Sequence, residues 1–174
     1  MDFWEVVARR HSVRDYADGR DVPQEMIEKV LGAAIQAPSG GNQQSWHFIV
    51  VRNEDLRAAL VRAAFGQGVV ACAPVIIAVC AMPERSGSRY GDRGRHLFTI
   101  QDTAAAIENM LLAATALGLG TCWVGAFDEG AAAQALALPN DLRPVALIPI
   151  GYPRQPSSRS TSRYPVSEVS EIRD

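Results

Sequence analysis

Cysteine is scarce in this chain of 174 residues: Cys72, Cys80 and Cys122 are widely spaced, and no CxxC pair occurs among them. An odd and scattered set of this kind suggests neither a disulfide framework nor a zinc site. Histidine is equally rare, and His11, His47 and His96 show no metal-ligand spacing. An excess of one charge is missing too. The formal net charge is -2, which gives no global field to attract nucleic acid or an anionic membrane. The longest apolar stretch, Ala104 to Leu119, is interrupted by Glu108 and Asn109 and does not read as a membrane span. Met1 to Arg10 lacks the basic-then-apolar order of a signal peptide, so the expected compartment is the reducing cytoplasm. No internal repeat and no linker divides the chain. The GxGxxG turn of dinucleotide-binding folds and the GxSxG elbow of hydrolases are both absent.

What is present fits a single globular domain, with 48% apolar and 21% charged residues. Phe3 to Arg9 reads as a short amphipathic helix with Phe3, Val6 and Val7 on one side. Pro23 opens a second helix, where its missing N–H costs nothing. Met26, Ile27, Val30, Leu31, Ala34 and Ile35 form its apolar face, and Pro38 closes it. Strands are predicted around Trp46 to Val51, over Val75 to Ala81, over Thr121 to Gly125 and over Pro144 to Gly151. The second of these is a near-continuous apolar run, the pattern of a strand buried on both faces. Glu54 to Ala64 and a segment from the cap Asp128 to Leu136 read as helices, and Met82 to Arg95 as a polar, Arg-rich loop. The longest predicted helix, Leu97 to Leu119, is apolar most of the way round. It must be buried on several sides, and a subunit interface would supply one of them.

Four clusters could carry chemistry. In Arg9-Arg10-His11-Ser12-Val13-Arg14, the side chains of Arg10, Ser12 and Arg14 leave an extended backbone on one side. Two guanidinium groups and a hydroxyl suit a phosphate; a solvated basic turn at a helix C-terminus fits the same residues. In Pro38-Ser39-Gly40-Gly41-Asn42-Gln43-Gln44, glycines permit close backbone approach, and Asn42 and Gln44 each offer a donor and an acceptor. An ordinary helix-to-strand connection is the alternative there. The third cluster, Gly118 to Gly125, follows a helix, so it is no Rossmann turn. The fourth, Arg159, Arg163 and Tyr164, lies in a Ser-, Arg- and Pro-rich tail that composition alone would leave disordered.

In order and spacing these clusters resemble the nitroreductase-like family of FMN-dependent flavoproteins over nearly the whole chain. The resemblance rests on Arg10-His11-Ser12-Val13-Arg14 and on Ala37-Pro38-Ser39 with Asn42, Gln44 and Trp46. It continues through Asp102 to Asn109, Gly118 to Gly125, Pro144 to Leu147 and Gly151-Tyr152-Pro153, and ends with Arg163, Pro165, Glu168 and Val169. It implies an α+β fold, with a mixed, mainly antiparallel sheet flanked by helices and a long central helix at a homodimer interface. Residues 1–152 would be the FMN-binding domain and 153–174 a tail wrapped over the partner. Two FMN molecules would lie between the subunits. Arg10, His11, Ser12 and Arg14 would then bind the phosphate, the ribityl chain and the N1–O2 side of the ring. Pro38, Ser39, Asn42 and Gln44 would reach the cofactor from the other subunit, the backbone of Val124 and Gly125 would sit by the ring, and Arg163 would return to the phosphate. The lysine that often precedes the tail arginine by two residues is Thr161 here, and Arg159 is a candidate substitute.

The activity implied is NAD(P)H-dependent reduction of flat, electron-poor small aromatic acceptors such as nitroaromatics and quinones, by ping-pong hydride transfer through flavin N5. Dehalogenation or flavin fragmentation on the same fold is the enzymatic alternative. A flavin-binding module without turnover is the non-enzymatic one.

Overall fold

The apolar run Val75–Ala81 becomes the middle of the sheet, with all seven residues buried. The computed structural model describes residues 1–155 and 161–173. Four strands, β1 (Trp46–Val51), β2 (Val75–Ala81), β3 (Gly120–Thr121) and β4 (Arg143–Gly151), lie in the order β1-β2-β4-β3, and every pair is antiparallel. Trp46 stands opposite Ala81, and Val75 opposite Ile150. A parallel bridge from Ser12 to Thr121 continues the β3 edge, so the sheet is mixed and mainly antiparallel.

The two faces of the sheet make two cores, as the alternation of strand side chains requires. Val75, Ile77 and Val79 pack with Ile27, Val30, Ile107 and Met110 from helices α2 (Gln24–Ala34) and α6 (Thr99–Ala116). Ile76 and Ala78 face the other way, onto Leu60, Ala63 and Ala132 of α3 (Glu54–Ala63) and α7 (Glu129–Ala135). Helix starts are set by short polar caps: Asp2 for α1 (Phe3–Arg9), Asn53 for α3 and Asp128 for α7 each accept a backbone N–H of the first turn. A one-turn helix, α4 (Gly68–Ala71), leads into β2.

Three segments depart from the sequence-based expectation. Met82 to Arg95 is a helix, α5 (Pro83–Arg93), and not a loop. Its two glycines and two serines disguise it, but Pro83 suits the first turn, and the buried Ser86 and Gly87 let the returning chain pack closely. A Cβ at Gly94 would lie 2.4 Å from the Ser86 carbonyl oxygen, so that crossing admits only glycine. The long helix begins later than predicted, at Thr99, because Gly94–Phe98 forms a wider π-type turn, and its 18 residues span about 27 Å. The third strand is cut to Gly120–Thr121; beyond it, Val124 touches β4 through a single bridge to Leu147.

Both chain ends expose apolar side chains. On α1 only Val6 is buried, while Phe3 is 63% and Trp4 78% exposed. Residues 161–173, including the single turn α8 (Val166–Val169), are exposed throughout, with Val166, Val169 and Ile172 turned to solvent.

Candidate functional site

The arm after α1 is laid along the sheet edge. Val13 N–H donates to the Thr121 carbonyl at 2.8 Å, and Gly120 makes room: a Cβ there would fall 2.7 Å from a Val13 methyl. Val13 is buried, Ser12 partly buried and Arg14 exposed, so the alternation read from the sequence holds at this edge. The Tyr16 hydroxyl lies 3.1 Å from the carbonyls of both Val13 and Pro149. Burial holds its phenol well above the ordinary tyrosine range, so it stays a neutral donor pinning the arm.

Charges along the arm are sorted. Arg154 donates to both oxygens of Asp15 at 3.0 Å and to Asp18 at 2.6 and 2.8 Å. Those hydrogen bonds hold the Asp18 carboxyl below its ordinary value. Arg14 donates only to the Ser12 carbonyl, at 3.3 Å, and has no carboxylate partner among the described residues. Arg10 makes one long contact, 3.7 Å, with Glu108. His11 Nδ1 lies 2.8 Å from the Arg9 carbonyl and must carry a proton to bond it. That Nε2 is buried with no partner among the described residues.

The Ser39–Gln44 loop is bent by its backbone and held from below. Gly41, Asn42 and Gln44 adopt φ of 54°, 56° and 50°, a left-handed conformation that costs a non-glycine residue about 1–2 kcal/mol. Asp102, near the start of α6 and only 4% exposed, accepts from Gly40 N–H at 2.9 Å and from the Ser45 hydroxyl at 2.7 Å. Ser39 Oγ accepts from Gln44 N–H at 2.9 Å. With these clamps closed, Pro38, Asn42 and Gln44 are exposed, and the Asn42 and Gln44 carboxamides bond nothing among the described residues. Strained backbone held by buried anchors, presenting unused amides, is the pattern of a ligand-contacting loop.

Near the arm, Val124 spends both backbone groups on Leu147, each at 3.0 Å. Gly125 is exposed, its N–H has no partner among the described residues, and a Cβ there would meet nothing within 4 Å. Gln67 braces this turn by donating to the Ala126 carbonyl at 2.7 Å. Arg163, in the exposed tail, donates to the carbonyls of Thr161 and Ser162 and to the Thr161 hydroxyl. Arg159 lies outside the described residues.

Within one subunit the fold therefore joins the Arg10–Arg14 arm to the Val124–Gly125 turn, through Thr121. The Ser39–Gln44 loop is anchored separately on α6, and no hydrogen bond links Arg163 to either among the described residues. Sequence reading missed Asp102 as an anchor, Gln67 as a brace and Arg154 as the group that takes up Asp15 and Asp18. No local pattern marks a contact that spans 57 to 62 residues, as those of Asp102 do. Among the described residues no His, Cys, Asp and Glu cluster could hold a metal, and no helix is long and apolar enough to cross a membrane.

Comparison with known proteins identifies the family. A profile of the nitroreductase family matches residues 7–71 and 63–152. A provisionally named NADH dehydrogenase/NAD(P)H nitroreductase of Archaeoglobus fulgidus is 38% identical over 154 residues, covering 86% of this chain and 84% of its own. A protein of the same provisional name from Methanothermobacter thermautotrophicus is 38% identical over 160 residues, covering 89% and 79%. The crystal structure of a nitroreductase family protein from Clostridium difficile superposes with a TM-score of 0.87 at 34% identity, covering 100% of this chain and 99% of its own. The chain belongs to the nitroreductase family.

Proposed function

We propose that the protein is an FMN-dependent enzyme that uses NAD(P)H to reduce flat, electron-poor acceptors such as nitroaromatics and quinones, in a site completed between two copies of the chain. Family membership carries NAD(P)H-dependent oxidoreductase activity and a flavin cofactor. The observation that carries the finer reading is the donor set on the edge arm. Among the described residues Arg14, next to Ser12, has no carboxylate partner, and the Gly125 N–H is unpaired, with nothing within 4 Å of a Cβ placed there. This set fits a phosphorylated, partly anionic ring system: guanidinium groups for phosphate, a hydroxyl for a polyol, a backbone donor for a ring nitrogen.

FMN, when bound, supplies the hydride and electron transfer between nicotinamide and acceptor. The chain's own residues bind and tune. Arg10, Ser12 and Arg163 would hold the phosphate and sugar side, where His11 Nε2 is buried with no partner among the described residues. Arg14 would offer a positive charge to an anionic ring, and Gly125 N–H a donor to its edge. Pro38, Ser39, Asn42 and Gln44 close the site from the second copy, the two carboxamides meeting donors and acceptors alike. Reductant and acceptor would use the site in turn, which predicts ping-pong kinetics. The dimer reading is supported by Phe3, Trp4 and Val7 at one end and Val166, Val169 and Ile172 at the other, apolar surface that a lone subunit would leave wet. Residues 161–173 bond only to one another among the described residues, as expected of a segment that docks on a neighbour.

The test is a flavin titration. Purified protein should be yellow and dimeric, and apoprotein should quench FMN fluorescence on binding. Arg10→Ala and Arg163→Ala should each weaken FMN binding tenfold or more. Wild-type affinity in both variants, or a monomer that still binds FMN tightly, would refute the assignment.

A further inference from the structure

Helix α5 carries a charge arrangement that the flavin reading does not use. Arg85 and Arg89 stand four residues apart, before the backbone leaves helical geometry at Gly91 (φ 56°, ψ -141°), so they share one face. Like charges at this spacing repel and destabilise a helix unless acids answer them. Two acids are close in sequence, Glu84 and Asp92, and Arg95 takes both: its Nε lies 2.9 and 3.1 Å from the Glu84 oxygens and its Nη1 3.4 Å from Asp92. The bond to Arg95 holds the Glu84 carboxyl below its ordinary value, so this pairing persists near neutral pH.

Arg85 and Arg89 are left exposed, without a carboxylate within salt-bridge distance among the described residues. Both reach toward the Ser39–Gln44 loop. Arg85 donates to the Gln44 carbonyl at 3.4 Å and Arg89 to the Gly41 carbonyl at 3.3 Å. These contacts are long and go to neutral oxygens; Arg85 Nη1 also lies 3.6 Å from Met82 Sδ and Arg89 Cζ 5.5 Å from the Tyr90 ring centroid, so no carboxylate among the described residues neutralises either charge. Tyr90 completes the wall: its ring stands edge-on to Phe98 with centroids 5.1 Å apart, and its hydroxyl would lie 2.2 Å from a Cβ at Gly41. Two uncompensated guanidinium groups therefore rim the loop that presents Asn42 and Gln44.

We propose that Arg85 and Arg89 make this site selective for ligands carrying an anionic group, either the 2′-phosphate of the reductant or a carboxylate on an aromatic acceptor. The inference rests on the proposed function, because it needs the Ser39–Gln44 loop to face the bound reactants. A guanidinium fork matches phosphate and carboxylate alike. Screening separates this effect from shape: raising salt from about 0.1 M to about 1 M shortens the Debye length from about 10 Å to about 3 Å.

The experiment uses the flavin-loaded protein in four forms: wild type, Arg85→Gln, Arg89→Gln and the double variant. Lys29→Gln, an exposed site on α2, is the control for net charge alone. The reductive arm compares kcat/KM for NADPH and NADH; the oxidative arm compares 4-nitrobenzoate with 4-nitrobenzamide. The wild-type anionic-to-neutral ratio should fall with salt in at least one arm, and the arm that responds identifies the ligand. In that arm the double variant should lower the ratio tenfold or more, each single variant less, and Lys29→Gln by under twofold. A salt-independent wild-type ratio in both arms overturns the proposal even if the variants fail to fold. So does an unchanged ratio in a flavin-loaded double variant, or an equal fall in Lys29→Gln. A protein that turns over the amide but shows any of these loses only this inference. One that binds no flavin loses the proposed function as well, and this inference with it.

Discussion

Asp102 is where a single atom-for-atom change should separate the fold from the site. Its carboxylate is buried and answers two donors, Gly40 N–H and the Ser45 hydroxyl. Hydrogen bonds to a charged partner are worth about 1.5–3 kcal/mol each, and a buried donor left unpaired costs about 1–3 kcal/mol. Asp102→Ala strands both donors, so we expect a loss of about 3–5 kcal/mol. Asp102→Asn keeps an acceptor for one donor, and the Ser45 hydroxyl can turn to accept from the new amide, so its loss should be about 1–2 kcal/mol. For a chain of this size each kcal/mol shifts Tm by about 2–4 °C, which puts the Ala variant about 6–20 °C below wild type and the Asn variant about 2–8 °C below. Calorimetry at one fixed protein concentration is the assay, because subunit association would move Tm with concentration. The site should respond more than the fold. The left-handed residues Asn42 and Gln44 are kept in place by the bonds that Asp102 and Ser39 make. Hydrogen exchange at Gly40 should accelerate in both variants, and FMN should bind more weakly even in the mild one. An Ala variant within about 2 °C of wild type, with Gly40 still protected, would refute the clamp.

The other expectations are simpler. Gly41→Ala places a side chain at φ 54° and 2.2 Å from the Tyr90 hydroxyl; it should cost at least about 1–2 kcal/mol and weaken FMN binding, both readable by thermal melts and fluorescence titration. Acid should act through three carboxylates, Asp18, Glu84 and Glu129, each held below its ordinary value first by a hydrogen bond from its arginine. With folded-state values depressed, their contribution is present above about pH 4 and is lost as pH falls through the lower folded values. These groups are largely exposed, so the effect is modest: urea midpoints should drop slightly below about pH 4, and the drop should be smaller in Arg143→Gln, which frees Glu129; an equal drop would refute that pairing. Cys80 is buried, and burial pushes its thiol up to about 11. A thiol reagent at pH 8 should label the exposed Cys72 in native protein and reach Cys80 only on unfolding, as peptide mapping would show.

The legible parts of the fold are those in which one segment states its own environment. Val75–Ala81 carries the pattern of a strand covered on both faces, and Asp128 could be placed as a cap from its short side chain before an apolar run. Helix α5 was not legible, because what stabilises it is the return of the chain at Gly94 and Arg95 onto the small residues Ser86 and Gly87. Local propensity argues for a loop there, and tertiary packing overrides it. The site divides in the same way. Alternation along Arg10, Ser12 and Arg14 needs only an extended backbone, and the bridge from Ser12 to Thr121 provides it. The residue types of Ser39 to Gln44 suggested a ligand loop, but the left-handed turns that expose Asn42 and Gln44 depend on Asp102, which the sequence sets 62 residues from Gly40.

A net charge of -2 also concealed how the charge is distributed. The acids nearest in sequence to Arg14, Arg85 and Arg89 are engaged by other arginines: Asp15 and Asp18 by Arg154, Glu84 and Asp92 by Arg95. These pairs are exposed and add little to stability, so their effect on the local field matters more. An acid left loose beside Arg14 or Arg89 would collapse onto it and cancel the charge at a few ångströms. Held in a pair pointing elsewhere, it leaves a guanidinium facing solvent. A nearly neutral chain can in this way present a cationic surface on the edge arm and another beside the carboxamide loop, without the global positive charge that would attract nucleic acid. Charge counting could not find this, because the deciding quantity is which arginine each carboxylate has already met.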